Sequence, residues 1–209
     1  MKNKNIMHMV IDLETTGLPD EQAKGSGGRY FPYTETVKYR NARIVSIAWI
    51  ILDAELNETR REYHVIKPVG YTIPEEATRI HGISQEEAIE TGLELDDVMR
   101  DLYDSICNCK FFVAHNVQFD RNILLSELSR QPSTHALMHK LRFMKTWCTM
   151  YKGRDFMKIK KMPRLAELHA HCHPAEPLMK NAHNALADTE HCAMCYRAML
   201  ASAVASLVV

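Results

Sequence analysis

The sequence predicts an α/β fold built on a mixed, five-stranded β-sheet flanked by helices. Two patterns lead to this prediction: three strand-like segments follow one another near the start, and strand-like and helix-like segments then alternate. No internal repeat and no linker-like stretch divides the chain. We therefore expect a single domain over residues 1–209, with a core of about 6–200 and a flexible tail at 201–209.

The strands are predicted from runs of apolar residues. The first run, IMHMVIDLE, is largely apolar on both faces, which is typical of a central strand. The predicted strands span residues 6–14, 43–52, 62–66, 110–115 and, approximately, 143–148.

The helices are predicted from capping signals and helical spacing. The sequence Ser84–Glu87 has the form of a capping box and begins one helix, and residues 95–107 repeat apolar positions at helical intervals. The fourth strand runs directly into another helix. Two more are expected near 164–171 and 184–200.

Residues 19–41 form an insertion without a clean period, which predicts a loop or lid. It contains a glycine-rich stretch and the side chains of Arg29, Tyr30, Phe31 and Tyr33. Aromatic side chains can stack on unpaired bases, although exposed rings in a folded loop are the more ordinary interpretation.

Composition is that of a globular protein, with 46% hydrophobic and 25% charged residues. No apolar run approaches the length of a membrane span, and the first residues lack the apolar core of a secretory signal. Six cysteines at irregular spacing are better interpreted as reduced thiols than as disulfides. We expect a cytoplasmic or nuclear protein that has no membrane partner and is not secreted.

The formal net charge is zero, but the charges are unevenly distributed. Residues 140–164 contain nine Lys/Arg and one acid, whereas residues 53–104 contain fourteen acids and five bases. A basic flank of this kind favours an anionic partner such as nucleic acid, although a solvated surface is the more common meaning of a charge run.

Three short clusters combine acidic side chains with apolar surroundings. They hold Asp12 and Glu14 at the end of the first strand, Asp120 in a helical first turn, and His183 with Asp188 near the last helix. Each alone has an ordinary explanation, such as helix capping or a strand-end acid. Together they predict a site for divalent cations, because acids are costly to bury unless paired or bound to a metal.

The three clusters DxE, HNxxFD and HxAxxD, in this order, resemble those of the DEDDh (DnaQ-like) 3′–5′ exonucleases. The stretches IPEEATRIHGIS and FVAHNVQFDRNILLSELSR are most similar to the proofreading type associated with bacterial DNA polymerase III. The resemblance covers roughly residues 8–200 and implies a ribonuclease H-like fold. The insertion at 19–41 is longer than the corresponding hairpin of that family.

The resemblance also implies two Mg²⁺ or Mn²⁺ ions in the active site. Asp12 would bridge them, Glu14 and Asp188 would complete the shell of one, and Asp120 would hold the other. His183 would be the general base. The terminal nucleotide would contact Thr15, Thr16, Leu18, His81, Ile83, Asn116 and Phe119.

The implied substrate is nucleic acid with a free 3′ end, single-stranded or frayed, with DNA favoured and a polymerase as a possible partner. RNA 3′-end trimming is the alternative, because nothing in the motifs reads the 2′-hydroxyl group. A third possibility is a binding module that kept the groove and lost its chemistry. Against it, all five catalytic positions carry the required residue types.

A structural zinc site is a competing interpretation of the C-terminal region. Cys192 and Cys195 form a CxxC beside His191, and upstream lie His169, His171, Cys172 and His173. However, positions 188, 192, 195 and 199 form one helical stripe, which indicates thiols packed against the sheet.

Overall fold

A computed structural model describes residues 6–20, 30–131, 135–176 and 183–205. The five strands are β1 Met7–Thr15, β2 Ile44–Leu52, β3 Glu58–Val65, β4 Cys109–Ala114 and β5 Lys145–Cys148. They form one sheet in the order β3-β2-β1-β4-β5. The β1–β2 and β2–β3 pairs are antiparallel, whereas β1–β4 and β4–β5 are parallel. The predicted mixed, five-stranded sheet is confirmed.

Eight helices and one 3₁₀ turn, Thr36–Tyr39, surround this sheet in the described part of the chain. The helices are α1 Glu75–His81, α2 Gln85–Thr91, α3 Leu95–Ile106, α4 Val117–Ser129, α5 His135–Phe143, α6 Thr149–Met157, α7 Leu165–Cys172 and α8 Ala185–Ala205. The α2, α3, α4, α7 and α8 helices lie where the sequence predicts helices.

Alternation along the central strands directs side chains into two separate cores. Met9 and Ile11 of β1 and Trp49 of β2 face a large core formed with α3, α4 and α5. Val10 and Ile50 face the other layer, where α8 packs with Cys192, Ala193 and Tyr196. Each core covers one face of the sheet. Successive β1 side chains therefore point alternately into one core and then the other.

Several sequence predictions need correction. β3 begins at Glu58 rather than residue 62, because an edge strand tolerates charged side chains that hide an apolar pattern. The helices α1, α5 and α6 were not predicted. The insertion at 19–41 contains the 3₁₀ turn, whose Tyr39 is buried and donates a hydrogen bond to the Phe31 carbonyl at 2.5 Å.

Some predictions fall outside the described residues. These are Arg29 and the glycine-rich part of the insertion, together with the end of the tail. Within the described ranges, no helix is both long and apolar enough to cross a membrane.

Candidate active site

Asp12 and Glu14 lie two residues apart near the end of β1, so both side chains point to the layer that contains α8. They pair across the sheet with Ala48 and Ser46 of β2. Small residues at these two partner positions leave room above β2. The β1 strand therefore presents two carboxylates to a space that its neighbour does not fill.

A crevice opens beside these carboxylates, where β1 and β4 separate. The parallel pairing ends at Val10 and Val113, although β1 continues to Thr15. The backbone N–H of Leu13, beyond this point, helps to stabilise the charge of Asp120 in the first turn of α4. This is the kind of crevice, at the carboxyl ends of strands, where α/β sheets bind ligands.

The α8 helix supplies the third part of the site. Thr189 is buried, and its hydroxyl lies 3.3 Å from the carbonyl oxygen of Ala48, the residue that pairs with Asp12. This contact seats the first turn of α8 above β1 and β2 and holds the neighbouring Asp188 at the site.

His183 lies at the entrance to α8 and is exposed. Its backbone has a left-handed conformation, with φ of 68°, and its N–H donates to Asp188 Oδ2 at 3.2 Å. Glu14, His183 and Asp188 each offer one possible metal-ligand atom, and these three atoms lie within 4.8 Å of one another. The structure therefore brings an exposed imidazole next to the carboxylates.

Burial raises the pKa of every carboxylate in this group, and repulsion from neighbouring carboxylates adds to the shift at Asp12, Glu14 and Asp120. Burial raises the pKa of Asp12 well above its usual range, and the charges of Asp120, Asp188 and Glu14 raise it further. Burial and the Asp188 charge raise the pKa of Glu14 to about 7.

The other two carboxylates receive partial compensation from backbone N–H groups. Burial raises the pKa of Asp120 to about 8, although the N–H groups of Asp120 and Leu13 stabilise its charge. Burial also raises the pKa of Asp188, and the His183 N–H opposes that shift. Four acids from three elements thus share one poorly compensated space.

The oxygen atoms at this site fit divalent cations. Asp120 is 1% exposed, and its Oδ2 has no hydrogen-bond partner in the described structure, nor does the buried Oδ1 of Asp188. Leaving a buried charged acceptor unpaired is costly. A hard cation would satisfy these atoms and remove the repulsion, and an oxygen-rich ligand set suits Mg²⁺ or Mn²⁺.

A groove of about 330 Å³ leads away from Glu14 between the β1 end and α1. Thr16 fixes the turn after β1: its hydroxyl lies 2.9 Å from the Asn41 carbonyl and accepts from the Arg43 N–H at 3.0 Å. Five of the seven residues predicted to bind substrate line this groove: Thr15, Thr16, Leu18, His81 and Phe119.

The remaining two predicted substrate-binding residues occupy different places. Ile83 is 5% exposed and packs in a small core with α1 and α2, while its N–H donates to His81 Nδ1 at 3.1 Å. Ile83 thus orients His81 rather than lining the groove. Asn116 lies between β4 and α4 with φ of 68°, and its side-chain amide is 3.5 Å from the Tyr30 hydroxyl.

The sequence interpretation missed the wall that α1 contributes. Ala77 and Ile80 line the groove opposite Leu18, and Ile80 is 57% exposed. The signal was present, because Pro74 followed by Glu75 and Glu76 is a typical helix start. Tyr30 was assigned only to a lid, whereas its ring centre lies 6.3 Å from that of Phe119.

The cysteines proposed as alternative zinc ligands are core residues. Cys192 and Cys195 are buried against the sheet and α7, and both are free thiols. Among the described residues, neither group of possible metal ligands contains a cysteine. These contacts agree with the interpretation that Cys192 and Cys195 belong to a stripe of α8 that packs against the sheet.

A family model described as exonuclease, RNase_T, matches residues 9–196, a range that includes every element of this site. The chain belongs to the exonuclease family. It is accordingly a nuclease-type hydrolase domain, for which dependence on a divalent metal is expected.

Solved structures similar to this exonuclease-family chain share its fold. Exonuclease X, in complex with 5′-overhanging duplex DNA, is 21% identical with a TM-score of 0.60, over 93% of this chain and 91% of that one. E. coli Exonuclease I with a dA16 oligonucleotide is 18% identical with a TM-score of 0.65, over 94% of this chain.

The chain spans only 41% of that Exonuclease I chain. The cell-death related nuclease CRN-4 is 17% identical with a TM-score of 0.63, over 94% of this chain and 64% of that one. These similarities confirm the ribonuclease H-like fold. No curated protein sequence gives a significant match.

Proposed function

We propose that this chain is a metal-dependent 3′–5′ exonuclease that releases 5′-mononucleotides, with DNA as the favoured substrate. The observation that carries the proposal is the convergence of Asp12, Glu14, Asp120 and Asp188 in one buried space with two unpaired oxygens. Such a group is stable as a set of anions only when cations join it.

Asp12 would contact two divalent cations, Glu14 and Asp188 would complete the ligands of one, and Asp120 would hold the other. When bound, such cations lower the pKa of a water molecule and stabilise the charge on the attacking and leaving oxygens. The backbone N–H groups of Leu13 and Asp120 stabilise the charged form of Asp120, which favours the carboxylate that a cation requires.

His183 would act as the general base. Its imidazole lies at the exposed edge of the carboxylate group, where it can accept the proton of the attacking water and pass it to solvent. Because the side chain is on a loop residue rather than within α8, it can approach the water after substrate binds.

The groove beside Glu14 supports action at a chain end. Its volume of about 330 Å³ lies within the range of small-ligand pockets, and α1 forms one of its walls. The exposed side chains of Leu18 and Ile80, together with Phe119, offer apolar contact to one base. A terminal nucleotide placed there would leave its 5′ phosphate near the carboxylates.

A labelled-strand experiment tests this function. A single-stranded DNA carrying a 5′ label should be shortened from its 3′ end in Mg²⁺ or Mn²⁺, giving a ladder of labelled products, and chelation should stop the reaction. Asp188→Asn is the matched control. No shortening by the wild-type chain, or direct release of the labelled 5′ nucleotide, would overturn the proposal.

The same assay with matched RNA tests the preference for DNA. Support for DNA comes from the complexes of Exonuclease X and Exonuclease I described above. Faster shortening of the ribo-oligomer would reverse this part of the proposal while leaving the exonuclease mechanism intact.

A further inference from the structure

A second groove, of about 440 Å³, lies on the other side of the first turn of α4, between α4, β5 and α6. Val117 and Gln118 line this groove, Phe119 lines the groove beside Glu14, and Asp120 is buried between them. The two grooves therefore lie on either side of the helical turn that carries Asp120.

The second groove has the chemistry of a surface that binds single-stranded nucleic acid. No acidic residue lines it, and its wall includes Tyr151, which is 40% exposed, and an exposed Lys152. Arg121, Gln118 and Asn122 add further hydrogen-bond donors. Aromatic faces for bases and cations for phosphates are the parts that single-strand grooves combine.

The positive charge around this groove is poorly neutralised. Of the nine bases in residues 140–164, only Arg154 and Lys161 form ion pairs with carboxylates in the described structure. Arg121 donates to the backbone carbonyl of Arg142 at 2.5 Å, which links α4 to the basic segment. This segment therefore offers net positive charge to an anionic ligand.

His115 fixes the basic segment beside the active site. Its ring nitrogens lie 2.9 Å from the Thr149 hydroxyl and 3.1 Å from the Pro163 carbonyl. These contacts hold the start of α6 and the end of the basic segment next to Asn116. The basic segment, residues 140–164, is therefore held close to the end of β4 that leads into the helix carrying Asp120.

We infer that this second groove binds the substrate strand on the 5′ side of its terminal nucleotide, with Lys152 and Arg121 on phosphates and Tyr151 against an unpaired base. The inference rests on the proposed exonuclease function. It specifies a single strand as the ligand, because a base within a duplex has no free face for Tyr151.

Substrate length separates this groove from the catalytic site. Lys152→Glu and Tyr151→Ala should raise KM by about 5-fold or more for an oligothymidylate that reaches both grooves. They should leave kcat/KM unchanged for the 4-nitrophenyl ester of thymidine 5′-monophosphate, which has no nucleotide on the 5′ side. The salt dependence of oligonucleotide affinity should also become shallower in Lys152→Glu, by about 0.7 in log–log slope for one lost phosphate contact.

Lys110→Glu is the control with the same change of charge. Lys110 is exposed at the start of β4, the end of that strand farthest from the carboxylates. Equal effects of Lys152→Glu and Lys110→Glu, or equal effects on the long and short substrates, would contradict the inference.

A binding measurement distinguishes failure of the inference from failure of the proposed function. Fluorescence anisotropy with a labelled oligothymidylate in Ca²⁺ requires no hydrolysis. If Lys152→Glu binds the strand as tightly as wild type, the inference is wrong even when the enzyme is active. If affinity falls but no variant or wild type hydrolyses DNA, the groove is supported and the exonuclease proposal is wrong.

Discussion

At the residue scale, the position of His183, the proposed proton acceptor, depends on an unusual backbone conformation. His183 has a left-handed φ of 68°, which histidine adopts less readily than glycine or asparagine. This conformation lets its N–H reach Asp188 while its ring stays beside Glu14. The backbone of His183 therefore contacts Asp188, while its side chain lies close to Glu14.

We expect His183→Asn to reduce kcat by about 10²–10⁴-fold while the affinity for Mn²⁺ changes little. Asparagine tolerates the left-handed conformation but does not accept a proton near neutral pH. Steady-state kinetics together with calorimetric titration of Mn²⁺ would measure both quantities. Loss of Mn²⁺ binding would mean that His183 is a ligand, not a base.

Tyr30 gives a second prediction at this scale. Because its ring lies near Phe119 and its hydroxyl near Asn116, we expect Tyr30→Ala to raise KM for single-stranded DNA several-fold, with Tyr30→Phe close to wild type. Tyr33→Ala is the comparison in the same insertion. Equal KM values for Tyr30→Ala and wild type would exclude a role for this ring.

At the scale of elements, a buried ion pair joins the helix that carries Asp120 to the strand beside β1. Glu127 of α4 is 2% exposed and accepts from Arg43 Nε at 2.5 Å and from Arg43 Nη2 at 3.1 Å. The Arg43 N–H also bonds to the Thr16 hydroxyl. The pair therefore couples the position of α4 to the turn after β1.

Glu127→Ala should lower the free energy of unfolding by about 3–5 kcal/mol, because it leaves a partly buried guanidinium without its carboxylate. Chemical denaturation followed by circular dichroism would measure the change. Glu90→Ala, an exposed position on α2, should cost less than about 0.5 kcal/mol. Similar losses for both variants would show that the pair contributes little.

At the scale of the whole molecule, the raised carboxylate pKa values couple stability to pH and to metal. In the metal-free protein, Glu14 and Asp120 hold protons up to about pH 7 and 8, whereas the unfolded chain releases them at the ordinary, lower values. The folded state then binds more protons, so its stability falls as pH rises through this window.

We therefore expect the metal-free protein to unfold at a lower temperature at pH 8 than at pH 6, with the difference reduced by saturating Mg²⁺. Asp12→Asn should stabilise the metal-free protein at pH 8 by about 1–2 kcal/mol, since it removes a buried carboxyl group whose ionisation opposes folding. Calorimetry at both pH values would test this. A metal-free protein that is more stable at pH 8 would contradict the assigned pKa directions.

The sequence by itself determined the sheet, its central strand and the identity of the acidic side chains. Periodicity locates β1 and α8 because burial selects side chains at fixed intervals along each element. The spacing of Asp12 and Glu14 fixes their common face by the same geometry. Short, partly exposed helices such as α1 and α6 gave weak apolar patterns and were missed.

Only the tertiary structure decided how these parts meet. The separation of β1 from β4 creates the space for Asp120, and the seating of Thr189 on Ala48 brings Asp188 to it. Whether Ile83 or Ile80 reaches the groove depends on how α1 packs. Such contacts join residues that are far apart in the chain, so they follow from the packing of whole elements and not from any local pattern.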